Sequence, residues 1–170
     1  MKHAHSRRFD LPFRWPELPL HVVLVAPEIP PNTGNIARTC AATGSRLHLV
    51  EPLAFEVTDA QVKRAGLDYW DSIKPEIHAD WDAMLAAVKP QRLWLFSTAA
   101  SKSCFDADFQ PGDALVFGSE TKGLPAELLE KFADRVVGLP MQTEHVRSLN
   151  LATCAGIAIY EALRQINAAR

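Results

Sequence analysis

His21-Val22-Val23-Leu24-Val25-Ala26, followed by Pro27, Pro30 and Pro31 and then by Asn35 to Thr43, is the stretch from which the fold is read. The first run is short, apolar and β-branched, which predicts a buried strand. The prolines end it. Asn35 to Thr43 has helical spacing, and Gly44 is placed to cap its carboxyl end. The same alternation continues along the chain. Leu47 to Val50 reads as a second strand, and Thr58 or Asp59 can cap a short helix ending near Gly66. Asp80 precedes a helix through about Val88, closed by Pro90. Arg92 to Ser97 and Ala114 to Phe117 read as strands. Pro125 suits the first turn of a helix through about Phe132. Arg135 to Leu139 is a last strand, and Leu149 to about Gln165 is the longest helix. Strands alternating with helices predict an α/β fold, a mostly parallel sheet with helices on both faces.

The 170 residues suit one domain, and 48% hydrophobic with 22% charged residues describes a globular chain. A net charge of −2 gives no compositional support for a nucleic-acid partner. A local basic groove, or one built by two chains, remains open. Cys40, Cys104 and Cys154 are widely spaced and form no C-x-x-C, so they read as buried reduced thiols of a cytoplasmic protein. No apolar run is long enough to span a membrane. Residues 1–20 form a flexible basic amino-terminal extension with Lys2, Arg7, Arg8 and Arg14, and Phe13 and Trp15 nearby. It reads either as a plain tail or as an arm touching RNA phosphates. Residues 21–170 make the domain.

Three distant segments each follow an apolar run and lead toward a helix, the place where open α/β sheets bind ligands. They are Pro30-Pro31-Asn32-Thr33-Gly34-Asn35-Ile36-Ala37-Arg38, Gly118-Ser119-Glu120-Thr121-Lys122-Gly123-Leu124, and Leu139-Pro140-Met141 with Arg147-Ser148-Leu149-Asn150-Leu151. Gly118 and Gly123 have phosphate-loop spacing, but Leu124 and Pro125 stand where that loop needs Lys and Ser or Thr. No G-x-G-x-x-G follows the first strand, and neither H-E-x-x-H nor G-x-S-x-G occurs. Most histidines read as incidental, His21 and His48 lying in strand runs; His145 differs in lying in a loop just before Arg147-Ser148, where it reads first as a solvated loop residue. Gly118 would let a flat ligand approach the backbone. Glu120 should project from its loop. Arg38 either snorkels to solvent or presents a fixed guanidinium to a phosphate or oxyanion. Asn32 and Asn35 either hold turns or orient a polar substrate. The last helix is apolar nearly all round, which fits a core helix or one shared with a partner subunit.

In this order and spacing, the segments resemble the SPOUT methyltransferases, in particular the TrmH-like 2′-O-ribose branch. They match its Asn-x-Gly-Asn-x-x-Arg, Gly-x-Glu-x-x-Gly-Leu and Ser-x-Asn-Leu patterns, over about His21 to Gln165. Pro27 to Ile36 and Arg64-Ala65-Gly66-Leu67-Asp68-Tyr69 look like the YibK-like subfamily, which methylates the ribose of tRNA nucleotide 34, cytidine or uridine. Ser119 departs from the Pro common there. The resemblance implies a carboxyl-terminal trefoil knot, a rare exception to chain topology. It also implies a homodimer and S-adenosyl-L-methionine as methyl donor, giving S-adenosyl-L-homocysteine, with no metal. Phe96, Gly118, Leu139, Met141, Ser148 and Asn150 are implied to line the donor pocket. Arg38, with Glu120 and Asn35, is implied to act on the ribose 2′-hydroxyl. Asn32 would shape the acceptor side, and Lys63, Arg64, Lys122 and Arg147 are candidate contacts to phosphates of a tRNA anticodon loop. The alternatives are a 2′-O-methyltransferase for another tRNA or ribosomal RNA site, and a non-catalytic RNA-binding factor.

Overall fold

The computed structural model describes residues 11–56, 73–142 and 145–169. Six strands form one sheet: β1 (His21–Val25), β2 (Arg46–Val50), β3 (Glu76–His78), β4 (Leu93–Phe96), β5 (Ala114–Phe117) and β6 (Val136–Val137). Their order is β3-β2-β1-β5-β4-β6, and every pair is parallel. Among the described residues four α-helices cover it: α1 (Pro30–Thr43), α2 (Trp81–Val88), α3 (Ala126–Lys131) and α4 (Leu151–Ala168).

Alternation along each strand sorts side chains between the two faces. Val22, Leu24, Leu47 and Leu49 pack with Ile36, Ala37 and Cys40 of α1 and with Ala155, Ala158 and Ile159 of α4. Val23, Val25, Val50 and Val116 pack on the other face with Met84 of α2 and Leu128 and Leu129 of α3. A parallel sheet covered on both faces reads as near-continuous apolar strands, which β5 supplies throughout and β1 supplies from Val22 on. Burial pushes the Cys40 thiol up to about 12, so it packs as a small apolar group.

The expected strands and helices that fall within the described residues are present, with changed ends. Helix α1 begins at Pro30 rather than Asn35. Pro30 and Pro31 occupy its first turn, where a missing N–H leaves no bond unmade. Asp80 caps α2 as expected, its carboxylate accepting from Ala83 N at 2.7 Å. Strand β6 is shorter than Arg135 to Leu139, because Ala133–Arg135 forms a 3-10 turn and Gly138 bridges to Ser103. Strand β3 had no signal in the sequence: three residues, two of them polar, beside Pro75. The short helix expected between Thr58 and Gly66 lies outside the described residues.

Helix α4 settles the two readings of its apolar surface only on one side. Ala155, Ala158, Ile159, Ala162, Leu163 and Ile166 are buried in the core. Ile157 and Tyr160 are exposed on the other side.

Candidate active site

The strand order makes one place special. From β1 the chain moves outward through β2 to β3, and the later strands fill the other half of the sheet. The direction reverses between β1 and β5, and ligands bind outside the carboxyl ends of strands at such a switch point. The loop after β1 leads into α1, and the loop after β5 leads into α3. Ala26, which opens the first loop, holds φ at 50°, a backbone region that favours glycine.

Hydrogen bonds join all three predicted segments at this point. Glu120 accepts from Glu28 N at 2.8 Å, Ile29 N at 3.2 Å and Asn32 Nδ2 at 3.0 Å. Asn32 Oδ1 in turn accepts from Asn150 Nδ2 at 2.9 Å. Asn150 also caps α4, accepting from Ala152 N and Thr153 N. Glu28 returns the contact, accepting from Thr121 N at 3.1 Å and Thr121 Oγ1 at 2.8 Å. The cause is visible in α1. Its own N-cap residue, Ile29, offers no capping side chain, and no acidic residue stands in its first turn. The carboxylate that meets this positive helix end comes from Glu120, far along the chain.

Gly118 and Gly123 shape the second loop. Ser119 and Gly123 exchange backbone hydrogen bonds at 3.2 and 2.9 Å, folding the loop back on itself. A Cβ on Gly118 would stand 1.9 Å from the Gly123 carbonyl carbon. The space left by the missing side chain is therefore filled by the loop's own backbone. Gly123 turns the loop with φ at 70°. Ser119, the departure from the family's Pro, accepts from Lys122 N at 3.2 Å.

The remaining residues fall at neighbouring strand ends. Phe96 ends β4, Gly118 follows β5, and Leu139 and Met141 follow β6; these three strands are adjacent in the sheet. Leu139 and Met141 are half-buried. The segment is anchored by Ser97 N to Val137 O at 3.0 Å, Gly138 N to Lys102 O at 2.9 Å and Cys104 N to Gly138 O at 2.8 Å. Ser148 and Arg147 are exposed just before α4. Asn35 and Arg38 are exposed on one stripe of α1 with Pro31 and Ala42, at i, i+4, i+7 and i+11 spacing. Lys122 is exposed at the tip of the second loop. Lys63 and Arg64 lie outside the described residues.

Both oxygens of Glu120 are engaged at the amino end of α1, the helix that carries Arg38. The Asn150 side chain links α1 to α4. Glu28 and Thr121 were missed, because a Glu among prolines and a Thr in a charged loop read as ordinary surface residues. Glu120→Ala should lower stability by about 1–3 kcal/mol, since it strips the acceptor from two backbone donors and a buried amide. Glu120→Gln, which keeps one acceptor oxygen, should lose less. Urea unfolding of the two variants against the parent chain checks that order.

Comparison with known proteins agrees with this geometry. Residues 19–160 match the SpoU rRNA Methylase family. A tRNA (cytidine(34)-2'-O)-methyltransferase of Burkholderia ambifaria is 52% identical over 148 residues, covering 85% of this chain and 94% of that protein. A solved structure described as giving insight into the 2-OH methylation of C/U34 on tRNA is 46% identical, with a TM-score of 0.79 over 86% of this chain and 95% of that one. The SpoU methyltransferase AviRb of Streptomyces viridochromogenes, solved with AdoMet, is 27% identical, with a TM-score of 0.75 over 91% of this chain and 62% of its own. The parallel sheet, the three segments joined at its switch point and the match along most of the sequence together place this chain in the SpoU methylase family.

Proposed function

We infer that the chain transfers a methyl group from S-adenosyl-L-methionine to the ribose 2′-oxygen of tRNA nucleotide 34, a cytidine or modified uridine. The observation that carries this is the hydrogen-bonded union of Glu28, Asn32, Glu120 and Asn150 at the switch point, in a chain about half identical to a nucleotide-34 methyltransferase.

The residues present suit the donor. An adenine needs apolar cover and backbone partners at its edge. Phe96, Leu139 and Met141 offer the first at adjacent strand ends, and the backbone of Leu139 and Met141 makes no hydrogen bond among the described residues. These residues would hold the donor, with Gly118 and Ser148 beside them. When bound, the donor supplies a methyl group on a positively charged sulfur, an electrophile that is already activated.

The protein's task is then the weakly acidic ribose hydroxyl. The Arg38 guanidinium, a cationic donor with no acceptor atom, stabilises the developing alkoxide by charge and hydrogen bonding, and the hydroxyl proton passes to solvent water as the methyl–oxygen bond forms. Asn35, on the same stripe, orients the ribose. Glu28 and Glu120 keep α1 in register with the loop after β5, which limits the gap between acceptor and donor. Holding both reactants in line supplies much of the acceleration.

The anticodon loop suits such a site because its unstacked nucleotides present ribose and base edges. Lys63, Arg64, Lys122 and Arg147 are the proposed phosphate contacts. Four contacts give a slope of about −3 in log binding constant against log salt, and Lys122→Ala or Arg147→Ala should each make it shallower by about 0.7. Filter binding of tRNA across a salt series reads this directly, and a flat response would remove the charged groove. Exposed Ile157 and Tyr160 on α4 support a homodimer that covers them. The knotted carboxyl-terminal path and a cytoplasmic location follow from the family resemblance. No helix among the described residues is long and apolar enough to cross a membrane.

Incubation with methyl-labelled donor and total tRNA, followed by nuclease digestion and mass spectrometry, tests the function. Label should appear on the ribose of nucleotide 34. Label on a base atom would reject the reaction, and ribose label elsewhere would reject the position.

A further inference from the structure

Three histidines form a ladder across one edge of the sheet, on the face opposite α1 and α4. His21 Nδ1 lies 3.0 Å from His48 Nε2, and His48 Nδ1 lies 3.2 Å from His78 Nε2. The three rings come from β1, β2 and β3. On β2, Leu47 and Leu49 face α1 and α4 while Val50 faces α2. His48 shares the Val50 side by strand alternation. The ladder thus lies on the sheet face away from α1 and α4.

Glu76 completes a chemically distinct group. It is the register partner of His48, and Val50 is the partner of His78. Glu76 Oε2 is 3.7 Å from His48 Nδ1. One ligand atom from each of His48, Glu76 and His78 lies within 4.8 Å of the other two. Ligand atoms around a tetrahedral zinc ion stand roughly 3.3 Å apart, given metal–ligand bonds of about 2.0–2.1 Å. Two of the spacings, 3.2 Å from His48 Nδ1 to His78 Nε2 and 3.7 Å from His48 Nδ1 to Glu76 Oε2, are near that value.

We propose that His48 Nδ1, His78 Nε2 and Glu76 Oε2 form a binding site for a zinc-type divalent cation that fastens the edge strand β3 to β2. Two imidazoles and one carboxylate suit zinc in donor type and charge, and a water can take the fourth position. The outer contact also fits. A His that binds metal through Nδ1 carries its proton on Nε2 and donates it to a neighbour, and His21 Nδ1 stands there to accept. His48 and His78 are buried while Glu76 is exposed, so the cation enters from the Glu76 side. Strand β3 has only three residues, and a metal clip adds to its short ladder with β2.

The test uses the untagged full-length protein, stripped with a chelator and titrated with zinc against a metallochromic dye. The parent chain should take up one zinc per chain. Glu76→Ala and His78→Gln should each weaken that affinity by roughly tenfold or more, and His21→Ala, which removes the outer contact, by roughly tenfold. Cobalt should give the strong visible bands of tetrahedral coordination in the parent and lose them in His78→Gln. Glu76 is exposed, so its variant keeps the fold and separates ligand loss from unfolding; its tRNA methylation should match the parent. Absence of stoichiometric zinc in the parent would overturn the site. Equal affinity in Glu76→Ala and His78→Gln would overturn it too, since His3 and His5 would then account for the uptake.

Discussion

Arg38→Ala is expected to lower the rate of methyl transfer by about 10²–10³-fold or more, the usual consequence of removing a fixed donor from a developing oxyanion. Affinity for the methyl donor should stay within about twofold, because the residues proposed to hold the donor sit at other strand ends and α1 remains packed through Ile36, Ala37 and Cys40. Arg38 is exposed, so its loss leaves no cavity. Arg38→Lys should recover only part of the rate: it restores a charge but not the planar fork of donors. Single-turnover kinetics at saturating tRNA, with calorimetry of donor binding on the same samples, separates the two effects. An unchanged single-turnover rate in Arg38→Ala would remove this residue from the chemistry.

Gly118→Ala should be the most damaging single change to the architecture of the site. Its Cβ would stand 1.9 Å from the Gly123 carbonyl carbon and 2.1 Å from Leu124 N, both backbone atoms. No rotamer change relieves a clash with backbone. The loop must open, which breaks the Ser119–Gly123 hydrogen bonds and moves Glu120 away from Glu28 and Ile29. A stability loss of about 3 kcal/mol or more is expected, at the upper end for overpacking. Donor binding and activity should fall with it. Gly123→Ala offers a comparison: no atom lies within 4 Å of its added Cβ, and only the positive φ resists it. The milder change should cost about 1 kcal/mol. Denaturant unfolding of both variants checks the order, and a Gly118→Ala chain as stable as the parent would contradict the described loop.

Much of this fold is legible from local pattern. The β-branched run of β1, the apolar run of β5 and Gly44 at the end of α1 each announce an element by residue type alone. Asp80 likewise predicts its cap. Legibility fails where the partner is distant. Pro30 and Pro31 mark the end of a strand equally well as the first turn of a helix, and the Glu120 carboxylate that supports that turn lies in another loop. Strand β3 follows from pairing with β2 rather than from its own residues. At the site, the residues themselves brought out Asn32 and Glu120 as polar candidates, and the family resemblance added Asn150 and gave all three roles. Their mutual hydrogen bonds, and the reply from Glu28 to Thr121, depend on the sheet order. The histidine ladder shows the same limit: His21, His48 and His78 are unremarkable in sequence and become neighbours only when three strands align.

One substrate tests the central claim most directly, namely that this site delivers a methyl group to a ribose oxygen at nucleotide 34. A tRNA carrying 2′-deoxycytidine at that position keeps its base, its fold and nearly all its phosphate contacts, and lacks only the accepting hydroxyl. It should bind with nearly the affinity of the ribose form and accept no labelled methyl, while the ribose form is fully labelled. Equal labelling of the two tRNAs would contradict the account.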